Sequence, residues 1–322
     1  MDFGVTLRAI LRGEQSDAQI QAFLEDLNAS GLSADHVRIG VEIMRENMTP
    51  ANIPNAIDIV GTGGTGLHTL SISTASALVC AGAGARVAKH GNRAASSLTG
   101  TADTLSELGV NLAVTPEIAA KCVDVAGVGF LFAPNHHPAM RLVGPARKAI
   151  GAKTLFNLLG PMSNPASTER MLVGVSDPKW RHLMAEAFAG LNMEHVWVVH
   201  GSDGLDEITT TGATFVSEIR GSQVREFEIA PQMHGIELTT IDSLRGGHPA
   251  ENAQALLGLL HGEHSDYRDI VRLNSGAALM IAGLADDVNA GIDLATESID
   301  SGKALAALDL LIKTSKGDIA HG

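Results

Sequence analysis

The sequence predicts an α/β protein in two parts: a small all-helical domain, and a larger α/β domain with a mainly parallel central sheet flanked by helices. Three observations point there. Short aliphatic runs such as IDIV and VGFLFA alternate with helix-patterned segments, as they do when strands are buried on both faces. Aromatic residues make up 3% of the 322 residues against 35 glycines, so the core is built from Ala, Leu, Val and Ile, which suits helices packed closely on a buried sheet. The first 48 or so residues, and a later stretch from 138 to 165, read as helix without strand.

The elements follow in order. LRAILRG, AQIQAFLEDLNASG and DHVRIGVEIMREN carry helical periodicity, with Ser16 and Ser33 placed as N-caps. Pro50 and Pro54 then break the helix and mark a boundary. IDIV from Ile57 is a buried strand, SISTASALVCAGAG a small-residue helix and Ala85 to Lys89 a second strand. TLSELG and PEIAAKCVDVAG are helices, and VGFLFA a third strand. From Pro138 the alternation is interrupted by two helical pieces, AMRLVGPARKAIG, bent at Gly144 and Pro145, and TLFNLLG, closed by Pro161 and Pro165. Strands resume at Met171 to Val175 and Val196 to Val199. Mixed structure runs to about Ile241, and the C-terminal region from about Asn252 is helical. The expected division is therefore 1–52 with 138–166 as the helical domain and 53–137 with 167–322 as the α/β domain.

Composition excludes several classes of function. With 23 Lys+Arg against 36 Asp+Glu, the net charge of -13 has the wrong sign for a chain that binds a nucleic acid backbone or an anionic membrane. Phosphate binding must be local. Cys80 and Cys122 lie in apolar helical stretches and suit neither a disulfide framework nor a metal knuckle. The N-terminus lacks a leader-like apolar region, and no run reaches the ~18 apolar residues of a membrane span. A cytoplasmic protein is expected.

Four segments could carry chemistry. GTGGTG, from Gly61 to Gly66, lies between a strand and a helix, where glycines turn backbone N–H groups onto an anion and the helix terminus adds positive potential. A plain tight turn explains it equally well in isolation. KHGNRAASSLTG, from Lys89 to Gly100, gathers three basic groups with hydroxyls at the end of the neighbouring strand, so both loops face the crevice where open α/β sheets bind ligands. HGSDGLDE, from His200 to Glu207, ends in adjacent carboxylates able to share magnesium with phosphate oxygens. Arg147, beside Lys148 in PARKAIG, has the planar fork that holds a carboxylate, although charge on a surface helix is the commoner reason for such a residue. His136 and His137 lack the spacing of a zinc site.

GTGG, SISTA, KHGNRAASS with a downstream TAD, HPAM, FNLLGPMSNP and HGSDGLDE occur in that order. From about Leu7 to about Leu311 the chain resembles the anthranilate phosphoribosyltransferase family, within the nucleoside phosphorylase-like phosphoribosyltransferases. The resemblance implies a homodimer formed through the helical domain, with the active site in the cleft between domains. It implies contacts to phosphoribosyl diphosphate from Gly61, Gly64, Thr65, Thr69, Ser71, Ile72, Ser73, Thr74, Lys89, His90, Gly91, Asn92, Arg93, Ala94, Ala95, Ser96, Ser97 and Thr101. Ser73, Asp206 and Glu207 would carry magnesium, two ions with the substrate bound. Asn92 and Arg147 would hold anthranilate, and Lys89, Asp206 and Glu207 would serve catalysis.

Three features depart from the family pattern. Thr65 stands where members usually have Asp, and Ser71 where they have Asn. The chain also begins about one helix later than usual, which implies a weaker small domain or a start further upstream. The competing readings are a nucleoside phosphorylase, which would lack KHGNR and FNLLGP, and a non-enzymatic nucleic-acid-binding paralogue, which would be basic with a degraded KHGNR loop.

Overall fold

The computed structural model describes residues 2–94 and 98–318. Three helices open the chain: α1 (Phe3–Leu11), α2 (Asp17–Ser30) and α3 (Ala34–Glu46). Ser16 and Ser33 cap α2 and α3 as expected, each closing a reciprocal capping box with Gln19 or His36. Strand β1 (Ile57–Gly61) leads to α4 (Ile72–Gly82), and β2 (Val87–Gly91) to α5 (Thr101–Glu107) and α6 (Pro116–Ala126). After β3 (Val128–Phe132) come the short α7 (Ala133–His136), a 3₁₀ turn (Pro138–Leu142), α8 (Gly144–Ile150) and α9 (Leu155–Met162). The expected single bent helix at Gly144–Pro145 is in fact this 3₁₀ turn followed by a new helix. Pro145 lies in the first turn of α8, where its missing N–H costs nothing.

The chain continues through β4 (Arg170–Gly174), α10 (Pro178–Gly190), β5 (Met193–Gly201), β6 (Thr214–Gly221) and β7 (Gln223–Ile229). It ends in α11 (Pro249–Leu260), α12 (Asp266–Ile281), α13 (Val288–Asp300) and α14 (Lys303–Lys316). The sheet order is β3-β2-β1-β4-β5-β6-β7, parallel through the first five strands and antiparallel over the last two. No helix among the described residues is long and apolar enough to cross a membrane.

Two large cores lie on either side of this sheet. One packs α4, α12, α13 and α14 against residues such as Ile57, Leu172 and Val199. The other joins Leu7, Leu24 and Val41 of the N-terminal helices with Leu155 and Leu159 of α9, and runs on through Phe188 of α10 to Val173, Val196 and Val198 of the sheet. The helical segments are thus fastened to the sheet by α10. That continuity carries α8 and α9 to the carboxyl ends of β1 and β4, where the candidate site lies.

Candidate active site

The glycine turn after β1 and the acidic turn after β5 meet directly. Asp206 Oδ2 accepts the Gly63 N–H at 2.7 Å, although the two residues are 143 positions apart. Strand-end glycines make the meeting possible: a Cβ on Gly174 would lie 1.6 Å from the Asp206 carbonyl oxygen, and one on Gly61 2.3 Å from its carboxylate. Gly63 and Gly64 hold φ values of 66° and 73°, a left-handed pair whose turn brings the Gly63 N–H to Asp206 and the Gly63 carbonyl oxygen to Ser176. Thr65 Oγ1 accepts the Leu67 N–H at 3.2 Å, so its hydroxyl shapes the turn. Thr69 bridges to Arg245, pinning the far end of the loop.

Glu207 lies against Ser73 in the first turn of α4. Burial and the neighbouring Asp206 charge push its carboxyl up to about 8, against the pull of Lys89 and of hydrogen bonds from Ser73. Burial raises Asp206 as well, against the Gly63 N–H. Two acids crowded in this way form a site short of positive charge. Ser71 Oγ is engaged with Thr104 Oγ1 at 2.8 Å, and Thr74 Oγ1 with Thr101 Oγ1 at 3.4 Å, so these hydroxyls join α4 to α5 beneath the site. Ile72 is buried beside them and anchors the helix start.

The basic loop divides in two. Lys89 and His90 are buried within β2. Lys89 Nζ donates to Ile59 O at 2.6 Å and Ser73 Oγ at 3.2 Å; burial lowers its proton affinity while Asp58, Glu207 and Asp206 raise it. It is the cation that faces the acid pair. Beyond Gly91 the loop reaches the surface. Asn92 Oδ1 accepts the Arg93 N–H at 2.8 Å, Arg93 pairs with Asp103 at 2.7 Å, and Asp103 also accepts the Ala94 and Gly100 N–H groups at 3.0 Å each. Arg93 is thus paired with Asp103 at the exposed end of the loop and helps to hold its shape. Ala95, Ser96 and Ser97 lie outside the described residues.

Arg147 occupies α8, half-buried, with Asn157 Oδ1 at 3.5 Å and the Phe156 ring 5.9 Å away. It makes no ion pair among the described residues, and burial alone lowers its proton affinity. A guanidinium without a carboxylate is suited to receive one. One ring nitrogen of each of His136 and His137 is engaged within the protein, His136 Nδ1 with the Thr49 carbonyl oxygen at 2.8 Å and His137 Nε2 with that of Ser163 at 2.9 Å. Asn252 helps shape the wall by donating to Gly247 O, to which Thr99 also bonds.

Three residues at this site are invisible to motif reading. Asp58 is fully buried and accepts the His90 N–H at 3.2 Å and the Asn164 side chain at 2.7 Å; burial pushes it up to about 6 against the charge of Lys89. It braces the loop from below. An acid inside the run IDIV was the available signal. Lys153, between α8 and α9, lies over the glycine turn, and Ser176 joins the two. Neither carries a recognisable pattern.

Residues 53–305 match the Glycosyl transferase family, a/b domain. The chain is 49% identical over 309 residues to anthranilate phosphoribosyltransferase of Parvibaculum lavamentivorans, covering 96% of this chain and 91% of the relative. It is 50% identical to that of Mesorhizobium japonicum, with 96% and 92% covered. The chain belongs to the anthranilate phosphoribosyltransferase family. Among solved structures, the anthranilate phosphoribosyltransferase of Thermus thermophilus superposes with a TM-score of 0.92 at 38% identity, covering 98% of this chain and 94% of that one. The Saccharomyces cerevisiae anthranilate phosphoribosyltransferase, in complex with PRPP and Mg, gives 0.90 at 27% identity, with 98% and 93% covered.

Like its relatives, this anthranilate phosphoribosyltransferase family member is an enzyme, a transferase of tryptophan biosynthesis. Family membership removes the nucleic-acid-binding and nucleoside phosphorylase readings. The donor set fits magnesium: two carboxylates short of compensating charge and a serine hydroxyl are hard oxygen ligands. No group of three or more His, Cys, Asp or Glu among the described residues is arranged to hold a metal.

Proposed function

We propose that the enzyme transfers the phosphoribosyl group of 5-phosphoribosyl 1-diphosphate to the amine of anthranilate, giving N-(5-phosphoribosyl)anthranilate and diphosphate. One observation carries the assignment of residues: the Asp206 to Gly63 hydrogen bond brings the acid pair onto the glycine turn at the ends of parallel strands, with Lys89 beneath. The donor is held along 61–74 and the loop after β2, with Gly61, Gly64, Thr65, Thr69, Ser71 to Thr74, Lys89 to Ala94 and Thr101 in contact. Ser73, Asp206 and Glu207 would hold two magnesium ions, whose charge would offset that of the leaving diphosphate. Arg147 takes the anthranilate carboxylate through two parallel N–H bonds, and Asn92 orients its ring.

Cleavage at ribose C1 places positive charge on the sugar and negative charge on the departing diphosphate. Lys89 meets the latter, its ammonium held in place by Ile59 O and Ser73 Oγ. The incoming amine is neutral at pH 7 and attacks C1 as that bond lengthens. It then sheds one proton to solvent or to the diphosphate, so no dedicated base is required. Positioning is the remaining contribution, supplied by closure of a helical domain (1–52 with 138–166) on an α/β domain (53–137 with 167–322). Shared packing of α9 against α3 supports that grouping. Homodimerisation through the helical domain is supported by exposed Val5 on α1, and a reducing cytoplasm by two buried free thiols.

Incubation with anthranilate, phosphoribosyl diphosphate and Mg2+ tests the reading. Anthranilate fluorescence should fall only when all three are present. Folded protein that leaves it unchanged defeats the proposal.

A further inference from the structure

Lys153 is the only residue contributed by the helical insertion that lies directly on the glycine turn among the contacts described. An added Cβ at Gly64 would stand 3.3 Å from Lys153 Cε. Its Nζ donates to Ser176 Oγ at 2.7 Å, and Ser176 Oγ donates in turn to Gly63 O at 2.8 Å. The Ser176 N–H is held by Thr62 Oγ1 at 3.2 Å, which closes a chain of contacts around the turn. The ammonium lies 5.0 Å from the centre of the buried Trp180 ring, and the Lys153 carbonyl accepts from Asn28 of α2 at 3.1 Å. The residue is therefore held from behind by the helical part while its charge is aimed at the sheet part.

No carboxylate pairs with Lys153 among the described residues. An ammonium has three N–H bonds, and one is spent on Ser176. The ammonium also lies over the Trp180 ring, and its Cε stands over Gly64. Its charge also acts on Asp206, the acid bonded to Gly63. A half-buried cation over an anion cradle, without an acid of its own, has the arrangement of a ligand contact.

We propose that Lys153 binds the diphosphate of the donor, adding a cation from the helical insertion beside the glycine turn at Gly64. This rests on the transferase reading. The diphosphate is assigned, in preference to the 5-phosphate, because Lys153 and Ser176 lie on the β4 side of the turn, where Asp206 is bonded, whereas Asn92 and Arg93 follow β2 on the opposite side of β1. Binding would exchange Ser176 for phosphate oxygen at the ammonium and so couple donor binding to the approach of the helical part.

Calorimetry with Mg2+ present tests this, using phosphoribosyl diphosphate, inorganic diphosphate and ribose 5-phosphate as probes. Lys153→Met should weaken the first two by the same factor, about tenfold or more, with ribose 5-phosphate unchanged. Lys153→Arg should restore most of the loss. Equal weakening of ribose 5-phosphate, or unchanged diphosphate affinity, overturns the assignment. Should the Met variant fold poorly, Lys153→Gln with the same probes gives the same decision. Wild-type protein that binds neither diphosphate compound would sink the transferase reading itself, whereas tight wild-type binding with an indifferent Met variant sinks the Lys153 role alone.

Discussion

Two carboxylate sites on β5 and its neighbours show opposite chemistry. Glu218 on β6 is almost entirely buried, yet it accepts from His195 at 2.9 Å, Trp197 at 3.1 Å and Arg220 at 3.2 Å, with Arg225 at 3.0 Å on its other oxygen. Burial alone would raise its proton affinity, but the bonds from Trp197 and His195 and the Arg220 charge outweigh that and hold it low. At the far end of β5, Asp206 and Glu207 are both held high. A fully partnered buried acid fastens strands together. An under-partnered pair stores electrostatic cost that a bound cation relieves, and that imbalance marks the functional end of the strand.

The largest test of this contrast replaces the stored charge. Asp206→Asn with Glu207→Gln keeps the shape and should reduce turnover by on the order of 10³-fold, the scale for removing a preorganised electrostatic element. Stability should not fall. A carboxyl whose proton affinity is raised on folding destabilises the folded state as pH rises past its unfolded value, so removing it without Mg2+ leaves the melting temperature equal or higher. Retained turnover, or a large loss of stability, would reverse the distinction drawn here.

Glu218→Gln should do the reverse. It leaves His195 and Trp197 with a weaker acceptor and costs about 1.5–3 kcal/mol of stability, with kcat preserved below the melting transition. The sign with pH follows from the lowered proton affinity. The contribution of Glu218 is present above the ordinary carboxylate value of 4.5 and disappears as pH falls through its lower folded value. Denaturation at pH 7 and pH 3 should therefore show the variant's deficit narrowing with acid. A constant deficit would assign the loss to packing.

The same contrast explains what could be read in advance. Ser16, Ser33 and the aliphatic runs are local signals, and the helices and parallel strands they mark are present. The hairpin of β6 and β7 was not legible as such, because QVREFEI presents mostly exposed residues and its pairing with β6 depends on tertiary context. Helix α10 does carry a local signal, since Asp177 caps it and Trp180, Met184 and Phe188 repeat at helical spacing on its apolar face. At the site, glycine and acid motifs are written in consecutive residues. Lys153, Ser176 and Asp58 act through contacts between distant segments, so only the fold reveals them.

Arg147→Ala tests the acceptor end with a smaller effect. Loss of a charge-assisted pair to the carboxylate should weaken anthranilate by about 1.5–3 kcal/mol while leaving phosphoribosyl diphosphate nearly unaffected. Calorimetry with each ligand decides it. Equal losses would mean that Arg147 supports α8 and α9, through Asn157 and Phe156, and does not bind substrate.

The smallest effect belongs to the two departures from the family pattern. Thr65 Oγ1 already closes the turn by accepting the Leu67 N–H, and Ser71 Oγ already bonds Thr104. Both side chains therefore serve the shape of the loop. Thr65→Asp with Ser71→Asn would offer the donor one or two further polar contacts, each worth about 0.5–1.5 kcal/mol, so the Michaelis constant for phosphoribosyl diphosphate should fall by roughly tenfold. The choice of acceptor should not change, because Arg147 lies on a different element. The Asp introduced at 65 would also stand in the turn beside Gly64, over which Lys153 lies, and could take its ammonium. A higher Michaelis constant, abolished when Lys153 is replaced as well, would show that this enzyme's loop and its lysine work together in the absence of an acid at 65.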